Sequence, residues 1–247
     1  MLYGICHLSV VPVRNEANDA SEMVTQLLYG DHFEVLETKS NWIKIRIAYD
    51  DYEGWMDKKQ AAEIDVSTFQ KLQKEDIYST DVIGLMTTKT QQLMPIGIGS
   101  ALHSAPLLNH TFDGATNKRF GKNQLVVTAL LYLNSPYLWG GKSPFGIDCS
   151  GFTQIVYKIC GFHLKRDSSE QARQGQALSF IEESEPGDLA FFDNEEGHII
   201  HVGIIMKDNY IIHAHGHVRI DQIDHSGIFN VDTKRYSHSL RVIKKIV

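Results

Sequence analysis

Cysteine is scarce in this 247-residue chain, which holds only Cys6, Cys149 and Cys160. An odd, sparse set makes no disulfide framework, so nothing in the composition demands an oxidising compartment. Basic residues are fewer than acidic ones, 24 against 30, for a formal net charge of −6. That balance argues against nucleic acid and against an anionic membrane surface as partners. Apolar runs of membrane-spanning length are missing. The opening Met1-Leu2-Tyr3-Gly4-Ile5-Cys6-His7-Leu8 has neither a basic n-region nor an apolar h-region, so it does not read as a signal peptide. The expected location is cytoplasmic; a leader removed beforehand would make the protein periplasmic or secreted instead. What remains, 43% hydrophobic and 22% charged residues, is ordinary for a globular protein. The length suits two or three domains with a sizeable core.

The N-terminal part reads as all-β. Segments 9–14, 25–30, 32–37, 42–47 and 52–56 are short, β-rich and separated by Gly, Asn and Asp, which predicts a small barrel. Pro12-Val13-Arg14, Leu28-Tyr29-Gly30, Trp42 and Gly54-Trp55 resemble bacterial SH3-like domains, here over residues 1–62. Residues 63–121 read as a helical linker at 61–78 followed by β-like pieces from 82 to 121, expected to be a second, degenerate SH3-like domain. An amphipathic helix is predicted over 123–134, leading into a loop broken by glycine and proline.

That loop ends at Asp148-Cys149-Ser150-Gly151, where an apolar helical face begins with Phe152, Ile155, Val156, Ile159 and Cys160. Asp148 suits an N-cap, which puts Cys149 in the first helical turn, where the helix dipole favours a thiolate. A buried structural cysteine is the ordinary alternative, and Cys6 and Cys160 are read that way. His201 opens a strand-like run and His213 lies inside another. A helix-borne Cys, a His and a polar group to orient that His form the set needed for nucleophilic catalysis. Imidazole, with a pKa near ~6.5, can take the thiol proton and later protonate a leaving amine. His201 and His213 share a sheet face only if the loop between their strands has an odd residue count or a bulge intervenes. A loop longer than the two-residue Asp208-Asn209 turn is therefore expected. The rival reading of His213, His215 and His217 is a zinc site on one strand face. Gly216 and the lack of a further ligand at suitable spacing count against it, and no metal and no cofactor are expected. Helices first, then an antiparallel sheet with strands expected at 188–192, 201–207, 210–215, 218–223 and 240–247, give an α+β class.

Tyr137-Leu138-Trp139-Gly140-Gly141, Asp148-Cys149-Ser150-Gly151-Phe152, Pro186-Gly187-Asp188-Leu189, His201-Val202-Gly203 and His213-Ala214 resemble, in unbroken order over 122–225, the signature of the NlpC family. These are papain-like cysteine peptidases that cut bacterial cell-wall peptides. The resemblance implies a papain-like catalytic domain over 122–247, with Cys149 as nucleophile, His201 as base and His213 orienting it. Tyr137 and the Cys149 N–H would steady the oxyanion, and Trp139 would wall the pocket or serve as a core aromatic. One branch of the family carries an N-terminal SH3-like domain and removes L-Ala-γ-D-Glu from free murein peptides, cutting before meso-diaminopimelate or lysine. By that resemblance Glu16, Tyr52, Asp167 and Ser168 would hold the substrate amine, and Asp148 and Ser150 would line the D-glutamyl site. Asp167 reads equally as a helix N-cap, and Glu16 and Tyr52 as exposed loop side chains. The implied enzyme is a monomer acting on murein peptides in recycling. A general endopeptidase on intact wall, a hydrolase on another amide, and a non-catalytic wall-binding protein are the alternatives.

Overall fold

The structure is a computed structural model that describes residues 2–117 and 120–247. Met1, which opens the segment read for a signal, and Lys118 and Arg119, within the expected second SH3-like domain, lie outside the described residues. Two compact units emerge: residues up to 117 with Trp139–Pro144, and Phe120–Leu138 with Phe145–Val247.

In the first unit seven antiparallel strands form one sheet: β1 (Tyr3–Cys6), β2 (Val10–Arg14), β3 (Met23–Leu28), β4 (His32–Lys39), β5 (Trp42–Ile47), β6 (Glu53–Asp57) and β7 (Ala61–Ile64), in the order β3-β2-β6-β5-β4-β1-β7. The side-chain period of two explains the core. Ile43, Ile45 and Ile47 of β5 face inward onto Val11, Val13, Leu27, Phe33 and Met56. Cys6 belongs to this core, and its thiol donates to the Leu8 carbonyl at 3.3 Å.

Helix α1 (Val66–Leu72) starts where Asp65 accepts from the Thr68 N–H at 2.8 Å, and its Phe69 ring lies against Tyr3, tilted by 35° with ring centroids 4.5 Å apart. The rest of the 63–117 segment forms a sheet of order β10-β9-β11 from β9 (Ile83–Thr87), β10 (Leu93–Gly97) and β11 (Thr111–Phe112). A ribbon of β8 (Tyr78–Ser79) and β12 (Thr116–Asn117) lies beside it in sequence. Tyr29, between β3 and β4, packs with Met86, Ile96, Leu102 and Ala105, so this segment shares a core with the seven-stranded sheet. The short strand β13 (Lys142–Ser143) also belongs to this unit.

The second unit contains α2 (Leu125–Leu130), β14 (Gly146–Ile147), α3 (Cys149–Ile159) and α4 (Ser168–Gln171). Strands follow at β15 (Gln176–Leu178), β16 (Leu189–Asp193), β17 (Ile199–Ile205), β18 (Tyr210–His215), β19 (His217–Ile223), β20 (Gly227–Asn230) and β21 (Arg235–Lys245). Their order is β15-β21-β16-β17-β18-β19-β20, and an extra β20–β21 pairing closes six of them into a barrel. This is the expected α+β arrangement.

Two elements differ from expectation. The 123–134 helix is α-helical only to Leu130, after which Leu131, Tyr132 and Leu133 donate to carbonyls three residues back and Asn134 turns left-handed at φ 68°. Pro136 follows Ser135 and forbids continued helix there. The last strand starts at Arg235 rather than 240, because its first residues pair with β20 and the later ones with β16 and β15.

Helix α3 is buried along its whole length, not on one face. Polar members turn to internal partners: Thr153 Oγ1 donates to Gln171 Oε1 at 2.8 Å, and Gln154 Nε2 to the Leu164 carbonyl at 3.1 Å. Phe152 is fully buried, edge-on to Tyr132 with centroids 5.8 Å apart. Phe152→Ala should therefore lower the unfolding free energy of this unit by about 3–5 kcal/mol. Urea denaturation checks this; a loss below about 1 kcal/mol would mean that α3 is not the packed centre of the unit.

Candidate active site

Cys149 is the first residue of α3 and is 7% exposed. Asp148 caps the helix by accepting from the Gly151 N–H at 2.6 Å. The same carboxylate is gripped by Arg166, with Nη2 to Oδ2 at 2.6 Å and Nη1 to Oδ1 at 3.0 Å. Arg166 Nη1 also donates to Ser150 Oγ at 2.9 Å. Arg166 is only 1% exposed and escaped the sequence reading. Burial and the Asp148 charge push the Cys149 thiol up to about 12, against the Val202 N–H, the Arg166 cation and the Ser150 N–H, which favour the thiolate. The Val202 contact ties the sulfur to the strand that carries His201.

His201 lies on β17 and His213 on β18; past Met206, which bonds to Tyr210, the three-residue loop Lys207-Asp208-Asn209 turns the chain, with Asp208 and Asn209 left-handed at φ 58° and 59°. The Met206 N–H to Tyr210 carbonyl bond of 2.8 Å closes the loop. The count is odd, so His201 and His213 share a face, and Gly203 pairs with His213 directly. A Cβ at Gly203 would come within 2.7 Å of the Ile211 side chain and 2.9 Å of His213 Cβ. The bare glycine lets the Ile211 side chain and the His213 Cβ approach the strand, and His201 Nε2 meets His213 Nδ1 at 2.8 Å. His213 Nε2 in turn meets Asp221 Oδ2 at 3.1 Å.

Asp221, on β19, is missing from the sequence reading, as is His238, on β21. The His238 ring stacks on His201 at 4.1 Å, with the planes only 20° apart. Burial, then the neighbouring His213, His238 and His215 rings, hold His201 well below the usual imidazole range. Burial also lowers His213, against the opposing pull of Asp221. The resting pair is thus a neutral thiol and a neutral imidazole.

Among the described residues, His201, His213 and His238 offer ring nitrogens that lie within 4.8 Å of one another. An ion must sit in the plane of each imidazole that binds it. Near-parallel stacked rings cannot both point at one ion, and both His213 nitrogens already have partners. The arrangement is a stack rather than a chelate. The set His213, His215 and His217 is not carried by one strand, because Gly216 turns at φ 73° and puts His217 on β19, opposite His215 in the ladder.

Tyr137 is 36% exposed, and its N–H donates to the Gly216 carbonyl at 2.9 Å. Burial and then the Cys149 and Asp148 charges push its hydroxyl up to about 12, which places it in the electrostatic field of the nucleophile helix. Asp167 occupies the N-cap position of α4, but its side chain makes no cap bond; Ser168 begins that helix. Trp139, Glu16 and Tyr52 lie in the first unit. The Trp139 indole donates to Glu22 Oε1 at 2.6 Å. Glu16 is exposed, its N–H bound to Ser21 Oγ at 2.9 Å, and Tyr52 packs against the core of the seven-stranded sheet in its own unit.

The buried imidazoles give the fold a pH dependence. His201 and His213 are held neutral, and His238 falls to about 4. The unfolded chain protonates all three near pH ~6.5 and so binds more protons below that point. Stability should be full above pH ~6.5 and fall as the pH drops below it. Thermal melts between about pH 7.5 and about pH 5.5 check this, and an unchanged Tm would contradict the neutral assignments.

Comparison with known proteins follows the same division of the chain. Residues 134–236 match the NlpC/P60 family, and residues 13–60 match the bacterial dipeptidyl-peptidase SH3 domain. A Bacillus cereus gamma-D-glutamyl-L-lysine dipeptidyl-peptidase is 28% identical, over 79% of this chain and 68% of its own length. A Lysinibacillus sphaericus protein, dipeptidyl-peptidase 6, is 29% identical over 78% of this chain and 80% of its own. The crystal structure of a Bacillus cereus NlpC/P60 family protein superposes with a TM-score of 0.78 at 19% identity, covering 99% of both chains, which shows a shared fold. The chain therefore carries an NlpC/P60 cysteine peptidase domain, preceded in sequence by a bacterial dipeptidyl-peptidase SH3 domain.

Proposed function

We propose that this cysteine peptidase hydrolyses the amide bond between γ-D-glutamate and a diamino acid, lysine or meso-diaminopimelate, in free murein peptides, and releases L-Ala-γ-D-Glu. The observation that carries the chemistry is the 2.8 Å His201–His213 pair, with His201 on the strand whose Val202 N–H contacts the Cys149 sulfur. The substrate class is supported by the name of the Bacillus cereus relative, a gamma-D-glutamyl-L-lysine dipeptidyl-peptidase, and by the matching SH3 domain type.

In this reading the Cys149 S–H proton passes to His201 as the sulfur attacks the γ-glutamyl carbonyl carbon. A neutral thiol beside a neutral imidazole makes that transfer part of the attack, with no standing ion pair required. The carbonyl oxygen becomes an oxyanion, which accepts from the Tyr137 hydroxyl and the Cys149 N–H. The latter is a first-turn donor that no intrahelical carbonyl reaches. The C–N bond then breaks, and the His201 imidazolium gives its proton to the leaving amine. Water, deprotonated by His201, hydrolyses the thioester and restores the thiol. Asp148 and Arg166 keep the start of the helix rigid while charge builds beside it. Asp167 and Ser168, next to Arg166 in sequence, are the groups this unit offers to a substrate ammonium.

The wild type should cleave L-Ala-γ-D-Glu-L-Lys or its diaminopimelate analogue after D-Glu, and Cys149→Ala should not. Product analysis by mass spectrometry reads the bond cut. Equal cleavage of the N-acetylated peptides would replace the free-peptide reading with that of a general wall endopeptidase. Cleavage by Cys149→Ala would remove the nucleophile assignment.

Gly203→Ala supplies a second check on the geometry. Its Cβ displaces His213, and kcat/KM should fall ~10- to 100-fold for a shift of about an ångström. Wild-type kinetics in this variant would mean that the His213 position does not matter.

A further inference from the structure

We infer that Asp221 is a positioning residue that fixes the tautomers of His213 and His201, and so presents the lone pair of His201 Nδ1 to the thiol. The inference deepens the proposed Cys149–His201 chemistry and rests on it.

The Asp221 side chain is fully buried. It is surrounded by donors: Arg219 Nε at 2.7 Å and His213 Nε2 at 3.1 Å on Oδ2, and Arg219 Nη2 at 2.9 Å and the Val231 N–H at 3.1 Å on Oδ1. Arg219 is itself anchored a second time, by Nη2 to Asp232 Oδ2 at 2.7 Å. Burial alone would raise this carboxyl; the His213, Arg219 and Val231 bonds overcome it and hold Asp221 well below the usual carboxylate range. An ionised carboxylate only accepts hydrogen bonds.

Everything upstream follows by elimination. His213 must keep its single proton on Nε2, because that nitrogen faces an acceptor. Its Nδ1 then carries the lone pair. That lone pair lies 2.8 Å from His201 Nε2, so His201 must donate from Nε2. A neutral imidazole has one N–H, which leaves His201 Nδ1 unprotonated.

The reverse chain, with His213 Nδ1–H donating to His201 Nε2, satisfies the inter-histidine bond equally well. It would put a hydrogen on His201 Nδ1 and leave that nitrogen unable to take the thiol proton. Two histidines hydrogen-bonded to each other have no internal preference for direction; the carboxylate supplies it. The pairing of His213 with Arg219 across β18 and β19 puts Asp221 on the same face, diagonal to His213.

The test uses the full chain carrying Asp221→Asn or Asp221→Ala, compared with wild type. Nitrogen-15 NMR of the histidines reads tautomers directly, and steady-state cleavage of L-Ala-γ-D-Glu-L-Lys separates kcat from KM. Wild type should show His201 as the Nε2–H form. Both variants should show the Nδ1–H form appearing, with kcat lower by ~10- to 100-fold and KM within about threefold. An Nδ1–H signal for His201 in wild type would overturn the inference. So would variants that lose thermal stability while keeping the Nε2–H form and the wild-type kcat, since that marks a purely structural carboxylate. If wild type cleaves no γ-glutamyl peptide while the tautomer shift still appears in the variants, the substrate reading fails and the positioning role of Asp221 stands.

Discussion

The antiparallel register between β17 and β18 is the constraint on which the site rests. Side chains alternate along a strand, so a slip of one residue would send His213 to the opposite face from His201. The three-residue loop with two left-handed residues fixes that register. Gly203, opposite His213, then leaves a gap that the Ile211 side chain and the His213 Cβ occupy. The pair is therefore specified twice, once by the parity of the loop and once by a missing Cβ.

The nucleophile is held by a different device. Helix α3 lies inside the unit with polar residues turned to internal partners, and its start is locked by the Asp148–Arg166 pair. A buried salt bridge of this kind contributes little net stability, because desolvation offsets the attraction. Its value here is geometric. The guanidinium binds both the cap carboxylate and Ser150, so the first turn that carries Cys149 cannot fray.

Much of this was legible in the residues. The helix start at Cys149 follows from capping chemistry, the pairing of the two histidines from the family resemblance, the longer loop from strand parity once they are paired, and the all-β character of the N-terminal part from its alternation. Asp221 was not legible. In His217-Val218-Arg219-Ile220-Asp221 the polar positions alternate as a solvent-facing row would, yet Asp221 is fully buried. Parity could have placed Asp221 on the face of His213, but nothing local says that this face is covered. His238 was hidden for a related reason: Arg235-Tyr236-Ser237-His238-Ser239 has no apolar alternation, and it is a strand only because β20 pairs with it. The 123–134 helix was over-read because apolar periodicity continued past the point where Pro136 forbids the backbone.

The position of β21 has a consequence for biosynthesis. This strand lies between β16 and β15, closes the barrel against β20, and brings the ring that stacks on His201. Its partners on β16 are made some fifty residues earlier in the chain. Such long-range pairings form late, because loop closure must precede any gain from contact. While the ribosome still holds residues 235–245, the barrel has a gap where β21 belongs, and the imidazole of His201 lacks one wall. The hydrolase therefore stays unfinished throughout translation of its own catalytic residues.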